Sequence, residues 1–367
     1  MRLEAAAAES LERRGFSGAV VVLDARSGEV LALVSEPSYD PDPLSAGQLS
    51  GETWTRLARD SGHALRDRAV QDIYPPGSTF KPFLAIAALA DGTIRPDETT
   101  ECTGSARFGR RLFHCWHRHG RVDLVQAIQK SYDVFFYGLG LKVGAERIAH
   151  YAREFGLGER SGIDLPGEQK GLVPSAAWKQ QIFHDGWREG DTVSVAIGQG
   201  YLAVTPLQMA AAFAAIGNGG MLYRPWLVKR VLSPSGSTLR ESLPSLRRRI
   251  DLPAGVLSTV REGLRRVVNE PGGTGSVVRS SRVEIAGKTG TAQVRQFSDM
   301  SRVDCASLPY EQRHHAWFVG YAPARDPQVA VAVITEHACH GAASPVARDV
   351  FQAYFAAQAE PDTPVDR

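Results

Sequence analysis

Segments with strand character lie at both ends of this 367-residue chain, with a long helical block between them. Near the start, Gly18 opens AVVVLDARSGEVLALVS, two β-branched runs around a turn at Asp24–Gly28, which reads as a hairpin. After residue 280, VEIAGKTGTAQV, HHAWFVGYAP and QVAVAVITE again have strand composition. The intervening chain, from 78 to about 225, is helical in pattern. STFKPFLAIAALADG is apolar nearly all round and stops at Asp91-Gly92, VDLVQAIQKS ends at Ser131, and DVFFYGLGLKVG follows. Thr205-Pro206 supplies an N-cap and a first-turn proline, and Asn218-Gly219-Gly220 ends that helix. The economical architecture is an α/β fold of the α+β type, with one antiparallel sheet built from both chain ends, flanked by helices, plus a mainly helical lobe. The sheet lobe is expected over 18–77 and 226–360, and the helical lobe over 78–225. Short helices are expected at 3–14 and 345–358, and residues 36–77, rich in Pro, Asp and Gly, read as surface loop. A cleft between the lobes is the default place for a site.

Charge excludes one large class of function. With 42 basic and 40 acidic side chains, and no basic stripe, the chain is not built to bind nucleic acid. No run of 18 apolar residues occurs, and the start, Met1-Arg2-Leu3-Glu4, lacks a basic segment followed by an apolar one and a cleavage site. Four cysteines (Cys102, Cys115, Cys305, Cys339) are too few for a disulfide scaffold.

The chemistry is carried by three short motifs. Ser78-Thr79-Phe80-Lys81 sets a hydroxyl and an amine one helical turn apart. A serine is a poor nucleophile at neutral pH without an adjacent base, and a lysine can be that base where burial disfavours the ammonium. The preceding Pro75-Pro76-Gly77 places Ser78 at a helix start, where free N–H groups favour a developing oxyanion. S-x-x-K alone is common, and a surface Ser and Lys on one helix is the bland alternative. Its company changes that reading. Ser131-Tyr132-Asp133 falls at a helix end, and Lys288-Thr289-Gly290-Thr291 lies in a strand-like run whose glycines allow a close approach to an edge strand.

Three motifs in this order, S-x-x-K, S-x-[N/D] and K-T-G, resemble those of the serine penicillin-recognising enzymes. The likeness extends through GAVVVLDARSGEVLALVSEPSYDPD, IYPPGSTFKPF, GIDLPGE, AIGQGYLAVTPLQMA, GKTGTAQV and HAWFVGYAP, which are similar to the transpeptidase domain of class B penicillin-binding proteins. Asp133 in place of Asn, the GIDLPGE…GDTVSVAIGQG stretch and CWHRHG resemble the cell-elongation branch, penicillin-binding protein 2. The resemblance covers roughly residues 17–358. It implies that residues 1–17 are a linker helix left from a truncated N-terminal region, that 18–360 are the transpeptidase domain, and that 361–367 are a tail. It also implies a membrane anchor and pedestal outside this chain, with the full-length protein at the periplasmic face of the inner membrane.

The implied activity is a peptidoglycan D,D-transpeptidase that cross-links stem peptides through a serine acyl-enzyme and is inhibited by β-lactams. It needs no cofactor for catalysis. A glycan polymerase of the elongation machinery is the implied partner of the full-length protein. Ser78 would attack the penultimate D-Ala carbonyl, with Lys81 as general base. Ser131 would bridge Lys81 to the leaving amine, and Asp133 would bond the lysine and the donor backbone. Lys288 would support Ser131 and add positive field. Thr289, Gly290 and Thr291 would line the donor-binding strand, its two hydroxyls holding the donor carboxylate, with Ser78 and Thr291 N–H groups as oxyanion hole.

Cys102, Cys115 and His119 form a second constellation, C-x12-C-x3-H. Thiolates and imidazole are zinc ligands, so a small structural zinc site is one reading; a Cys102–Cys115 disulfide and free thiols are the others. Some members of the resembled branch carry a four-ligand metal site here, whose fourth ligand falls on Tyr132, not a usual zinc ligand. Cys339 reads as an isolated thiol, Arg247-Arg248-Arg249 as a solvated turn, and Trp187, Trp226 and Trp317 as packing residues. The alternatives to a transpeptidase are a serine β-lactamase, for which no water-activating base is identifiable, a β-lactam sensor domain, which would accompany membrane helices, and a division-type transpeptidase.

Overall fold

The computed structural model describes residues 2–45, 47, 50–102, 105–108, 111–114, 120–294 and 304–359. Its centre is a five-stranded sheet made of β1 (Gly18–Asp24), β2 (Val30–Glu36), β3 (Ala286–Ala292), β4 (His315–Ala322) and β5 (Val329–Thr335), in the order β3-β4-β5-β1-β2. Every neighbouring pair is antiparallel, and the chain ends meet where Gly18 pairs with Thr335 and Asp24 with Val329. Every residue of β5 is buried, so both sheet faces are covered there, which is why VAVAVIT is apolar without alternation. β2, at the opposite edge from β3, alternates buried and half-buried residues along most of its length.

Seven helices concern the site and its support: α1 (Arg2–Glu12), α2 (Lys81–Ala90), α3 (Leu124–Lys130), α4 (Asp133–Val143), α5 (Pro206–Gly217), α6 (Val256–Asn269) and α7 (Ala343–Ala359). α1 packs on α7, with Ala7 and Leu11 fully buried and Ser10 donating to Asp349 at 2.8 Å. α5, buried on all sides, lies against β1 and β5 and so joins the cover of the sheet. Thr205 caps it in a reciprocal box with Gln208, as its Thr-Pro start suggests. α2 contributes an apolar turn-by-turn core, from Phe83 to Ala88, on which Phe155 and Phe213 make edge contacts with Phe83.

Several local expectations change. The 36–77 segment contains two short helices, Asp42–Ser45 and Gly51–Ala58, and buries Arg68, Ala69, Val70 and Asp72. The segment read as helical near residue 100 holds two small antiparallel pairs, Thr100–Cys102 with Gly120–Val122 and Ser105–Phe108 with Arg111–His114. Arg247 and Arg248 are not in a solvated turn. Leu246–Arg249 is a strand paired with Met221–Tyr223, Arg247 bridges to Glu159 at 2.6 Å, and Arg248 donates to the carbonyls that end the helix Ala145–Glu154. Cys339 is not an isolated thiol either. The turn after β5 folds back so that the Cys339 N–H meets the His314 carbonyl at 2.9 Å, and Cys339 is bonded to Cys305. Sequence spacing gave no sign of this pairing because the two lie 34 residues apart, on opposite sides of β4 and β5.

Candidate active site

The residue order of the first motif is fixed by backbone crowding. Gly77–Phe80 forms a single 3-10 turn that runs directly into α2, and Ser78 sits half-buried on it. Gly77 has φ +55°, and a Cβ there would lie 2.3 Å from the Thr291 carbonyl oxygen, so no other residue fits between the Ser78 turn and β3. Gly290 faces the same turn from the strand side; a Cβ on it would lie 2.8 Å from the Pro76 carbonyl oxygen. Other bonds pin the turn. The Gly77 N–H donates to Gly198 O at 2.8 Å, and the Trp317 indole donates to Pro75 O at 3.0 Å. Trp317 is therefore a packing residue that also seats the turn carrying Ser78. Gln199, in the AIGQG stretch, donates to Thr291 O at 2.8 Å and ties β3 to the same turn.

Lys81 is the first residue of α2 and is fully buried. Its ammonium donates to Ser131 O at 2.9 Å, Ser131 Oγ at 3.0 Å and Asp133 Oδ1 at 2.5 Å, with the Phe136 ring 5.4 Å from it. Ser131 closes α3 in the left-handed region, φ 60° and ψ 44°. That conformation aims both its carbonyl and its hydroxyl at the lysine. Asp133 opens α4, where free N–H groups favour a carboxylate. The second motif thus spans a helix end, a left-handed residue and a helix start, and both Ser131 and Asp133 face Lys81.

Lys288 lies in β3 and is also fully buried. Burial drives its amine well below the ordinary lysine range and the positive charge of Lys81 adds to this, while Asp133 opposes both. Its hydrogen bond goes to Thr289 O at 3.2 Å. Thr289 is buried, and its hydroxyl meets that of Thr274 at 2.7 Å, a partner no sequence pattern signalled. Thr291 is more open, with its hydroxyl 3.0 Å from His340 Nδ1.

Behind the site is a polar network that the motifs did not announce. Tyr74 donates to Glu336 at 2.8 Å, and buried Arg68 donates to the same carboxylate at 2.9 Å. His315, at the start of β4, accepts the His337 N–H on its Nδ1 at 3.0 Å; burial first, then the neighbouring His337, push it down to about 4. Glu336 feels burial pushing its carboxyl upward, but the bonds from Arg68 and Tyr74 hold it below the usual range.

Among the described residues, no group of three or more His, Cys, Asp or Glu side chains is placed to hold a metal ion. Cys102 ends the strand Thr100–Cys102, and Cys115 and His119 lie outside the described residues. No described helix is long and apolar enough to cross a membrane.

Residues 18–356 match the family described as penicillin binding protein transpeptidase domain. The peptidoglycan D,D-transpeptidase MrdA of Haemophilus influenzae is 38% identical over 350 residues, which cover 93% of this chain and 53% of that protein. The chain spans about half the length of the curated MrdA relatives it matches. Among solved structures, a complex between penicillin-binding protein 2 and MreC from Helicobacter pylori is similar, with a TM-score of 0.85 and 31% identity over 97% of this chain and 63% of that one. Penicillin-binding protein 2 of Pseudomonas aeruginosa in complex with WCK 5153 gives a TM-score of 0.84 and 34% identity, covering 98% of this chain and 80% of that one. With all three motifs gathered around one turn and the match running almost from end to end, the chain belongs to the penicillin-binding protein transpeptidase family, in its class B, penicillin-binding protein 2 branch.

Proposed function

We propose that this chain is the transpeptidase part of an elongation-type penicillin-binding protein, joining peptidoglycan stem peptides through an acyl-enzyme on Ser78. The observation that carries the reading is the convergence of Ser131 and Asp133 within 3.0 Å of the Lys81 ammonium, three residues on from Ser78, whose neighbour Gly77 is pressed against β3. Ser78 Oγ attacks the carbonyl of the penultimate D-Ala, and its proton passes to Lys81. Lys81 acts as the free amine, and its contacts with Ser131 and with Asp133 at 2.5 Å hold it in place. Ser131 Oγ, 3.0 Å from Lys81, carries a proton on to the departing D-Ala nitrogen. An amine of a neighbouring stem peptide then attacks the ester, the cross-link forms, and Ser78 recovers its proton. Lys288, its amine held below the ordinary lysine range by burial, supports Ser131 from β3, and Thr291 receives the donor carboxylate. Thr289, bonded to Thr274, shapes the strand beneath. β-Lactams acylate Ser78 by the same first step.

The full-length protein is read as anchored at the periplasmic face of the inner membrane. Its partners there are a glycan polymerase and, by likeness to the Helicobacter complex, a scaffold of the MreC kind. For Cys102, Cys115 and His119 the choice is between structural zinc, a Cys102–Cys115 disulfide and free thiols. Metal analysis with a thiol count on protein made without chelator decides it.

The central test is a fluorescent penicillin with mass spectrometry. Wild type should carry one penicilloyl group on Ser78 that persists for hours, and Ser78→Ala should carry none. A label lost within minutes would mark a β-lactamase, and an adduct on Ser78→Ala would overturn the nucleophile assignment.

A further inference from the structure

The Thr291 hydroxyl has a partner that comes from an unexpected place. β5 is not a neighbour of β3; β4 lies between them, and Ala316 pairs with Thr291 on one side and Thr335 on the other. The turn that follows β5 nevertheless crosses the end of β4 and brings His340 Nδ1 to 3.0 Å from Thr291 Oγ1. Such a crossing must be held. His337 and Cys339 both take left-handed backbone, φ 51° and 66°. The His337 N–H bonds His315 Nδ1, the Cys339 N–H bonds His314 O, and His337 Nδ1 lies 3.2 Å from Arg313 O. The residue next to His340 is covalently tied to Cys305, in the segment leading into β4. The turn is fastened at several points, and His340 is its free, exposed end at the site.

We propose that His340 is a positioning residue of the donor-carboxylate subsite, seated by the Cys305–Cys339 disulfide, and that it sets which way the Thr291 hydroxyl proton points. This rests on the reading that Thr291 receives the donor carboxylate. A threonine hydroxyl has one proton to give and lone pairs to offer, and an ionised carboxylate only accepts. When Nδ1 carries the hydrogen, it donates to Thr291 Oγ1, and the threonine proton is released toward the carboxylate in a charge-assisted bond. When Nδ1 is bare, the threonine donates to the histidine and turns lone pairs on the anion. An anionic ligand therefore selects the Nδ1–H form, whereas a ligand without the carboxylate gains nothing from it. The selectivity of the site for a carboxylate ending is thus divided between a strand residue and a residue delivered by a distant turn.

The experiment compares acylation by a penicillin and by its uncharged methyl ester, with saturation kinetics separating binding from the chemical step. His340→Ala should lower kcat/KM-type acylation by the penicillin on the order of 10-fold, through binding, and leave the ester within about twofold. His340→Asn, whose amide N–H can take the place of Nδ1–H, should restore most of the loss. Cys305→Ser, checked by thermal melting to be folded, should lose selectivity in the same direction. Equal slowing of penicillin and ester by His340→Ala, or no slowing of either, overturns the proposal. Thr291→Val keeps the two readings apart. If it fails to reduce discrimination between penicillin and ester, the carboxylate reading of Thr291 itself falls. If Thr291→Val reduces discrimination and His340→Ala does not, only the role of His340 falls.

Discussion

Lys288→Met should make the protein more stable while it disables the site. Lys288 is fully buried on β3, and its amine makes one hydrogen bond, at 3.2 Å to Thr289 O, so two of three ammonium protons would have no acceptor. Among the described residues it forms no ion pair. Methionine has similar length and asks for no hydrogen bond. Replacing a poorly compensated buried charge by an apolar side chain of similar volume gains roughly 1–4 kcal/mol. For a domain of this size, with an unfolding entropy of about 0.7 kcal/mol per degree, that raises Tm by about 1–5 °C. The pH dependence has a definite sign. The folded-state amine is held below its unfolded range, so the unfolded chain binds more protons and wild-type stability rises with pH up to about 10.4. The advantage of the methionine variant should therefore be full at low pH and shrink toward pH 10. Acylation should fall about 100-fold or more with the loss of the amine that β3 places at the site. Melting curves at pH 7 and 9.5, with penicillin adduct formation followed by mass spectrometry, read both effects. A variant less stable than wild type at pH 7, with no narrowing of the gap at high pH, would refute the reasoning.

Gly290→Ala should lower stability by about 1–3 kcal/mol and acylation by roughly 10- to 100-fold, because its Cβ would lie 2.8 Å from Pro76 O and 2.9 Å from Thr79 Cγ2; melting and adduct kinetics check both. Lys81→Arg should acylate almost as poorly as Lys81→Ala, since a guanidinium does not give up its proton; acylation within tenfold of wild type would make Lys81 a fixed charge. His315, held at about 4 by burial and by His337, must stay neutral in the fold, so stability should fall by about 3 kcal/mol between pH 7 and pH 4 on its account. His315→Gln should flatten that part of the melting profile.

The parts of this fold that could be read in the sequence are those where periodicity or a motif acts locally. VAVAVIT and AVVVLD are continuous apolar runs because β5 and β1 lie in the sheet's buried centre, and the same composition predicted that the chain ends would meet. The ends of α3 and the start of α5 were legible from Ser131 and Thr205-Pro206, which act through their own backbone neighbours. What could not be read depends on contacts between distant segments. Nothing in CASLPY or EHACHG announces the Cys305–Cys339 bond. The triple arginine looks solvated until Glu159 and the end of a helix are brought beside it. In the site, the motifs supplied Ser78, Lys81, Ser131, Asp133 and Lys288, but not Gln199, Thr274 or His340, which touch β3 from three different directions. The glycines at 77 and 290 were informative because the reason for them, backbone against backbone, is the same in any sequence.

The unfavourable features of the chain gather around one turn. Two lysines are buried close enough for the charge of Lys81 to act on Lys288, and Lys81 is met by a serine in left-handed backbone, a conformation that costs a non-glycine residue about 1–2 kcal/mol. A glycine at 131 would relax the backbone and keep the carbonyl bond to Lys81, but it would bring no hydroxyl. A serine in ordinary helical backbone would keep the hydroxyl but could not turn its carbonyl and Oγ together on one ammonium, at 2.9 and 3.0 Å. Stability alone would choose the glycine. On the proposed mechanism the chain holds serine there because proton movement between Lys81 and a leaving nitrogen needs an oxygen with its own proton at that point. The surrounding core makes this strain tolerable: α2, which begins with Lys81, is apolar from Phe83 to Ala88, and β4, which pairs with β3, is almost wholly buried.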